Sequence, residues 1–359
     1  MFKRLFGFFS SSIAIDLGTA NTLVYMQGKG IILDEPSMVA LAVDRSGMGK
    51  RILAVGQEAK IMLGKTPGQI EVVRPMKDGV IADFNITEQM IKHFIKKASN
   101  HKRMMSVPPT IIICVPCGST QVERRAIKDA ALAAGARRVE IIEEAMAAAI
   151  GAGLPVESPR ASMVVDIGGG TTEVGVISLG GLVYANSIRV AGDRMDEVIT
   201  NHIRTKHGLL IGDSTAEQIK KTIGSAHPSV DNGSMDIRGR SVFDGLPKQI
   251  TITSEEVRGS LEDALQQIVA AVKQALELTP PELSADLIDS GLVLTGGGAL
   301  LKGLDVLLSE VTQLKVIVAD EPLLCVAKGC GMALDHLSTN KVYMSRTRLC
   351  VFLKFGLYC

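Results

Sequence analysis

One stretch of the sequence combines an acidic side chain with a glycine-rich loop, a pairing suited to phosphate chemistry. An apolar run ends at Asp166, passes through Gly168, Gly169, Gly170 and Thr171, and re-enters an apolar run, as in a β-hairpin. Glycines let backbone N–H groups converge on an anion, and an aspartate beside them is suited to a hydrated Mg²⁺ on phosphates. Taken alone, the stretch is equally compatible with a glycine-rich hairpin that binds nothing.

A second stretch near the start of the chain has the same organisation, 150 positions earlier. It contains Asp16, Gly18, Thr19, Ala20 and Asn21 between two apolar runs. A repeat of this kind indicates an internal duplication with one phosphate-binding hairpin in each half. Two such hairpins are stronger evidence than one, because they could grip a single nucleotide from opposite sides.

Two further segments bring polar or glycine residues to positions where a ligand could lie. A strand over Leu292–Thr295 runs into a glycine turn that permits close approach to a base or a phosphate, namely Gly296, Gly297, Gly298 and Ala299. The helical segment 215–224 carries Glu217 and Lys220 and is polar enough to touch a sugar or a base.

A carboxylate pair, Glu143 and Glu144, lies where a strand passes into an alanine-rich helix. Residues at such strand ends normally meet the ligand, and a carboxylate there could orient water against a terminal phosphate. The alternative is that the pair only stabilises the helix N-terminus through the helix dipole.

The elements that position these residues alternate between strands and helices, which predicts an α/β protein with mixed sheets. Strand-rich stretches of about 32–74 and 187–250 are predicted to be smaller inserted subdomains in lobes 12–150 and 151–337. We expect Thr87 to cap a helix that runs to about Ala98. Cys114 and Cys117 lack a second ligand pair and are expected to be core or strand-end residues.

Composition limits the classes of partner and the compartment. Lysine plus arginine (39) nearly balances aspartate plus glutamate (38), so no overall field favours nucleic acid, and none is predicted as a partner. The six cysteines have no disulfide-framework spacing, which favours a reducing cytoplasm. The sequence has no uninterrupted run of 18 apolar residues, so it does not predict a transmembrane helix.

Segments at both ends and one loop are candidate membrane contacts. The first 11 residues carry an apolar stripe at helical spacing, opposite Lys3 and Arg4, which predicts a lipid-binding helix; packing on the protein is the alternative. The stripe consists of Phe2, Leu5, Phe6 and Phe9. Met104 and Met105 lie beside two cations, in either a second lipid contact or a solvated basic loop. The tail 338–359 is atypical, with no acidic residue and an apolar end, and either seeks the membrane or does not fold with the body.

The motifs together resemble those of the actin, Hsp70 and sugar-kinase ATPase superfamily and, within it, the bacterial MreB family of actin-like filament proteins. The similarity runs from about Phe2 to Leu337. It rests on Ile15–Thr22, Arg74–Phe84, Thr120–Ile127, Asp166–Val174 and Val293–Leu301.

The resemblance implies an actin-like two-lobed ATPase fold with duplicated core domains, and it implies roles for named residues. Asp16 and Asp166 would hold Mg²⁺, and Glu144 with Thr171 would position the attacking water in a slow ATPase. The remaining residues would line the ATP: Gly18, Thr19, Ala20, Asn21, Gly168, Gly169, Gly170, Glu217, Lys220, Gly296, Gly297, Gly298 and Ala299.

The resemblance also implies a cellular role. Polar filaments, with antiparallel paired protofilaments, would lie on the inner face of the cell membrane and organise cell-wall synthesis that maintains rod shape. Inner-membrane lipid and the membrane proteins RodZ and MreC would be partners of this cytoplasmic, peripheral protein. A chaperone of the Hsp70 type or a sugar kinase is the alternative within the superfamily.

The chain departs from the family pattern at two places. The family usually has proline after the second glutamate of the connecting helix, and Ala145 stands there instead. Alanine lacks the fixed φ of proline, so Glu144 is expected to be slightly displaced, with more effect on hydrolysis than on binding. The second departure is the tail after Leu337.

Overall fold

A computed structural model describes residues 12–43, 50–100, 108–231 and 233–337. The predicted lipid contacts at residues 1–11, Met104 and Met105, and the tail from residue 338, lie outside these ranges. Within them, no helix is both long and apolar enough to cross a bilayer.

The described strands are short and numerous. In chain order they are β1 (Ser12–Leu17), β2 (Asn21–Met26), β3 (Gly30–Pro36), β4 (Val39–Val43), β5 (Lys50–Val55), β6 (Ile70–Val73), β7 (Met76–Lys77), β8 (Val80–Ile81), β9 (Thr110–Val115), β10 (Arg138–Glu143), β11 (Ser162–Ile167), β12 (Thr172–Ser178), β13 (Gly181–Ile188), β14 (Leu209–Leu210), β15 (Ser234–Ser241), β16 (Pro247–Thr253), β17 (Leu292–Thr295) and β18 (Val316–Val318).

The described helices separate these strands. They are α1 (Gln57–Met62), α2 (Phe84–Asn100), α3 (Gln121–Ala133), α4 (Glu144–Gly151), α5 (Gly192–His207), α6 (Asp213–Ile223), α7 (Ser254–Leu278), α8 (Pro281–Ser290), α9 (Leu304–Thr312) and α10 (Cys325–Leu337). Short 3₁₀ turns occupy Pro228–Val230, Gly297–Leu300 and Pro322–Leu324.

Two five-stranded sheets form the cores of two lobes, and their topologies match strand for strand. The first has the order β10-β9-β1-β2-β3, and the second has the order β18-β17-β11-β12-β13. In each, a hairpin (β1–β2 or β11–β12) pairs through its first strand with a parallel strand (β9 or β17). Apolar runs such as Thr110–Val115 form the buried inner strands, as expected for strands covered on both faces.

Each lobe carries a smaller three-stranded sheet. The strands β5-β4-β6, with helix α1, extend the first lobe, and β14-β15-β16 extend the second. The inserted strands begin at Val39 and at Leu209.

Helices α4 and α10 cross between the two large sheets, where glycine allows an unusually close approach. A Cβ on Gly151 would overlap the carbonyl of Cys325, and a Cβ on Gly329 would overlap the carbonyl of Ala147. Helix α10 also packs on β1 and β2 of the first lobe. There Gln27 Nε2 donates to Asp335 Oδ1 over 2.7 Å.

One helix boundary differs from the sequence prediction. Helix α2 begins at Phe84, three residues before the predicted cap at Thr87. The Asp83 carboxylate accepts the Ile86 N–H over 3.0 Å, as an N-cap does, and the Thr87 hydroxyl donates back to the Asp83 carbonyl over 2.7 Å. Threonine therefore lies inside the first turn, because an aspartate upstream is the stronger cap.

Candidate functional site

The two aspartate–glycine hairpins meet at the floor of the cleft. A Cβ on Gly169 would lie 2.7 Å from the Ala20 Cβ, and a Cβ on Gly170 would lie 2.6 Å from Thr19 Oγ1. Any side chain at these two glycines would push the lobes apart. The structure therefore brings together the loops that the sequence places 150 positions apart.

The first hairpin loop is fixed by its own lobe. Ser37 donates from its hydroxyl to the Gly18 carbonyl over 2.6 Å and from its N–H to the Ala20 carbonyl over 2.9 Å. Thr19 Oγ1 accepts the Gly79 N–H over 3.0 Å. Asn21 Nδ2 donates to Asp34 Oδ1 over 2.9 Å. These bonds preorganise the loop before any ligand arrives.

The second hairpin loop is fixed by the start of helix α5. The Gly168 N–H donates to the Thr171 carbonyl over 2.9 Å and closes the turn. The Gly168 carbonyl accepts from Gly192 N over 3.1 Å, and the Gly169 carbonyl accepts from Asp193 N over 2.7 Å. These bonds satisfy both carbonyls and fix the loop against the start of helix α5.

Three carboxylates lie on or beside the two hairpins: Asp16 is half-buried, and Asp166 and Glu144 are buried. Burial, the largest effect, raises the pKa of Asp16 to about 7, against a hydrogen bond from the Cys114 thiol that lowers it. Burial likewise raises the pKa of Asp166 to about 6, although Thr295 Oγ1 donates to it over 2.7 Å. The pKa of Glu144 is raised well above its usual range by burial and then by the charge of Glu173. Such a concentration of desolvated negative charge is suited to a divalent cation.

The carboxylates of the site can hold Mg²⁺ only together with phosphate and water ligands. Among the described residues, no group of three or more histidine, cysteine, aspartate or glutamate side chains is arranged to hold a metal by itself. Mg²⁺ prefers octahedral oxygen ligands, keeps several waters and commonly binds through one or two carboxylates plus phosphate oxygens. Asp16 and Asp166 provide that number of carboxylates.

Glu144 is the first residue of helix α4, and only 9% of its surface is exposed. Its neighbour Glu143 points elsewhere and accepts from the Arg124 guanidinium over 3.0 Å. The two adjacent glutamates therefore differ: Glu143 forms an ion pair with Arg124, and Glu144 is the buried candidate for the site. Ala145 is fully buried, and a Cβ on Gly175 would lie 2.8 Å from its Cβ, so strand β12 supports the helix start.

Glu217 and Lys220 lie on α6 at the wall of the cleft but have protein partners here. Lys220 Nζ donates to the Gly192 carbonyl over 2.7 Å and pairs with Asp196 at 2.9 Å. It therefore ties α6 to the second hairpin. Glu217 pairs with Lys221 at 2.5 Å and with Lys60 of the first lobe at 3.5 Å.

The cleft between the first lobe and helices α5 and α6 of the second has a volume of about 420 Å³, and its two walls carry opposite charge. Lys60, Arg74 and Lys77 line the side of the first lobe. The side of the second lobe is acidic, with Asp193, Asp196, Glu197, Asp213 and Glu217. Arg74 and Asp193 join the walls at 2.9 Å.

The third glycine cluster packs against the second hairpin. A Cβ on Gly298 would collide with the Ile167 side chain, and one on Gly296 with the Ile167 carbonyl. Gly296 also has a φ of 79°, which favours glycine. Gly297 adjoins Leu323, and Ala299 is buried. These residues pack against the second hairpin and support it, whereas the sequence predicted only that they contact the ligand.

Sequence reasoning assigned no role to Glu173, Ser37 or Lys60, and it predicted for Cys117 only a place in the core or at a strand end. Glu173 lies in the quoted hairpin motif, and a carboxylate among apolar β-branched residues was a usable signal. Ser37 and Lys60 carry no such signal, because their partners are distant in sequence.

Comparison with known proteins gives matches over nearly the whole chain. The family described as MreB/Mbl protein matches residues 10–342. The chain is 56% identical over 340 residues to the cell shape-determining protein MreB of Escherichia coli (strain K12), covering 95% of this chain and 98% of that protein.

Solved structures agree with the fold. MreB 5 of Spiroplasma citri bound to AMPPNP superposes with a TM-score of 0.86 at 38% identity, covering 92% of this chain and 98% of that one. A MamK double helical filament gives a TM-score of 0.77 at 21% identity, covering 91% and 99%, and at that identity it supports the fold alone. The predicted actin-like two-lobed fold and the predicted family are confirmed.

Proposed function

Because this chain belongs to the MreB/Mbl family, we propose that it is an ATP-binding protein that polymerises into filaments and helps to determine cell shape. The observation that carries the ATP-binding part is the contact of the two hairpins at Gly169 and Ala20, with one aspartate, Asp16 or Asp166, on each hairpin. The relatives are cell shape-determining proteins, which favours this reading over the Hsp70 and sugar-kinase alternatives.

ATP would bind with its phosphates between the two hairpins. The backbone of residues 18–21 and 168–171 would receive the phosphate oxygens, and Asp16 and Asp166 would hold Mg²⁺ through its waters. The bound Mg²⁺ would supply charge neutralisation of the phosphates. A solved relative holds AMPPNP in the same fold, which supports a nucleoside triphosphate as the ligand. Glu217, Lys220 and the turn at 296–299 would lie nearer the nucleoside.

Hydrolysis would depend on Glu144 and Thr171. Glu144 at the start of α4 and Thr171 at the end of the second loop are both buried, and they would orient water for in-line attack. Burial favours the protonated form of Glu144 in the absence of bound cations. We propose a slow ATPase on this basis, with Ala145 affecting its rate.

Self-assembly has support from two exposed apolar turns at opposite ends of the second lobe. The β15–β16 turn exposes 87% of Phe243, with Val242 and Leu246 beside it. The β12–β13 turn exposes 73% of Leu179, which has a φ of 52°, unusual for leucine. Exposed leucine and phenylalanine at opposite ends suit a head-to-tail contact with a second copy.

Helix α7 shows how far apart these turns are. Near the N-terminus of this helix, the Glu256 carboxylate accepts a hydrogen bond from His207. The carbonyl of Gly208, the residue after His207, accepts the Val242 N–H at the base of the β15–β16 turn. Near its C-terminus, Gln274 bonds Asn186 of β13, the strand that starts at the other turn. A 25-residue helix is roughly 37 Å long, about the size of one lobe.

The cellular part of the proposal follows the family. The filaments, antiparallel pairs of protofilaments, would lie on the inner face of the cell membrane, bound through Phe2, Leu5, Phe6, Phe9, Met104 and Met105. RodZ and MreC would be partners in organising cell-wall synthesis. The division into lobes 12–150 and 151–337 with a separate tail belongs to the same proposal; each large sheet lies wholly on one side of residue 150.

The test is sedimentation of the full chain with Mg-ATP, with and without anionic liposomes. We expect sedimenting filaments with Mg-ATP, lost in Phe243→Asp and in Leu179→Asp and kept in Phe243→Tyr, while nucleotide binding persists in all. Deleting residues 2–9 should reduce liposome co-sedimentation. Protein that stays in the supernatant at micromolar concentration under every condition would contradict the cytoskeletal role.

A further inference from the structure

Glu173 is a fully buried carboxylate at the junction of the two lobes. It lies on β12 directly opposite Asp166 of β11, so both side chains leave the same face of the hairpin. Its Oε1 accepts the Ser187 hydroxyl over 2.5 Å, on the next strand of the second lobe. Its Oε2 accepts the Cys117 N–H over 2.8 Å, in the loop that follows β9 of the first lobe. One side chain thus bonds both lobes beneath the cleft.

Cys117 carries this connection on to the helix that bears Glu144. Burial, and then the charge of Glu173, raise the pKa of the Cys117 thiol well above its usual range, whereas a hydrogen bond from the Ala145 backbone lowers it. The Cys117 side chain also packs against the apolar cluster that contains Ala145 and Met146 of this helix. Ala145 is the second residue of α4, immediately after Glu144.

Close packing restricts the same junction. A Cβ on Gly118 would lie 3.0 Å from the Ser187 Cβ, so the Cys117 loop rests directly on β13. Gly175, two residues after Glu173 and on the same face of β12, faces the Ala145 Cβ. The start of α4 is thus bounded by Cys117 on one side and by the Glu173 strand on the other.

We propose that Glu173 is a positioning residue that fixes Glu144 through Cys117 and the N-terminus of α4. The proposal rests on the ATPase function proposed above and names the group that aligns its water-orienting carboxylate. Glu173 accepts two hydrogen bonds, one from each lobe, and so fixes the position of the first-lobe loop relative to the second-lobe hairpin.

The hydrogen-bond role and the charge of Glu173 can be separated by substitution. In Glu173→Gln the amide oxygen can accept the Cys117 N–H, and the amide NH₂ can donate to the Ser187 hydroxyl, which also accepts. Glu173→Ala removes both bonds. Cys117→Ala keeps the backbone N–H for Glu173 but removes the thiol that packs against the start of α4. Glu140→Ala, at a surface residue of β10 paired with Arg138, is the control.

The experiment measures single-turnover ATP hydrolysis, nucleotide affinity and amide hydrogen exchange on the full chain. For Glu173→Ala we expect kcat to fall ~10-fold or more, the scale at which a misplaced catalytic group costs rate. Nucleotide affinity should change less than about twofold, and exchange at residues 116–119 and 144–150 should accelerate. Glu173→Gln should restore kcat to within about threefold of the parent and restore protection at 116–119. Cys117→Ala should lower kcat and deprotect 144–150, while the amide of residue 117 keeps its protection.

Three results would overturn the proposal. The first is unchanged exchange at residues 116–119 in Glu173→Ala, and the second is a loss of activity in Glu173→Gln equal to that in Glu173→Ala, which would assign the effect to charge. The third is parental kcat and exchange in Cys117→Ala. If the parent protein itself fails to hydrolyse ATP, the proposed ATPase function fails, and the exchange measurements still decide whether Glu173 fixes α4.

Discussion

Lys60 of the first lobe and Glu217 of the second lie 3.5 Å apart across the mouth of the cleft, although 157 residues separate them in the chain. Glu217 is also a predicted nucleoside contact. The same carboxylate therefore lies between the opposite lobe and the expected ligand, and the Arg74–Asp193 pair at 2.9 Å joins the walls nearby. Opening the cleft must break both pairs.

Charge reversal should show whether the Lys60–Glu217 pair holds the cleft closed. We expect Lys60→Glu to speed the release of a fluorescent ATP analogue ~2–5-fold, because a half-exposed ion pair contributes about 0.2–1 kcal/mol. Raising the salt concentration should shrink the difference. Lys50→Glu is the matched control, because Lys50 pairs with Glu71 within the first lobe. Equal release rates in the parent and Lys60→Glu at low salt would show that the Lys60–Glu217 pair does not hold the cleft closed.

Removing one buried charge should stabilise the nucleotide-free protein and abolish its response to ligand. Asp166→Asn keeps an acceptor for Thr295 and deletes a desolvated carboxylate. We expect the melting temperature without nucleotide to rise by about 2–4 °C per kcal/mol relieved, and the further rise with Mg-ATP to disappear. Scanning fluorimetry measures both, with the exposed Asp129→Asn as control. A parental Mg-ATP shift in Asp166→Asn would exclude it as a Mg²⁺ holder.

The nucleotide-free protein should become less stable as the pH rises from about 4 to about 8. Burial raises the pKa of Asp16 and Glu173 to about 7 and that of Asp166 to about 6, whereas the unfolded groups titrate near 4. Between those values the folded state binds more protons than the unfolded state, so the free energy of unfolding falls as pH rises. Denaturant titrations at pH 5.5 and 8 measure the difference. Greater stability at pH 8 would contradict the assigned burial.

The helix crossing should tolerate no added methyl group. In Gly151→Ala the new Cβ overlaps the Cys325 carbonyl, so α4 and α10 must separate, at a cost of about 1–3 kcal/mol. Gly259→Ala, within α7 and facing open space, should instead stabilise by about 0.5–1 kcal/mol. Chemical denaturation of both variants gives the comparison. Similar stability changes in the two would mean that the helices do not meet closely.

Local patterns were sufficient to predict the two hairpins and their pairing. Aspartate, glycine and flanking apolar runs define each turn from within a short window, and the duplication implied that the turns face each other. The Glu173–Cys117 bond was not predictable in this way. It joins residues 56 positions apart with no shared periodicity, and Cys117 by itself suggested only a strand-end cysteine.

Contacts between lobes were also beyond the sequence. Lys60 and Glu217 are ordinary surface residues until the fold places them together. Gly151 and Gly329 are single helical glycines whose need for close approach depends on two helices 174 residues apart. The predicted start of α2 was wrong for a local reason, since two potential capping residues four positions apart, Asp83 and Thr87, competed for it.

The packing of α10 on the first lobe affects the order of folding during synthesis. Strands β1 and β2 leave the ribosome early, but the helix that covers them, and contributes Asp335 to bind Gln27, is among the last described segments to be made. Nascent domains generally fold from the N-terminus. The apolar face of the first sheet that α10 covers therefore stays exposed while the second lobe is translated. A chain stopped before Cys325 should therefore remain a chaperone client, even with both hairpins already translated.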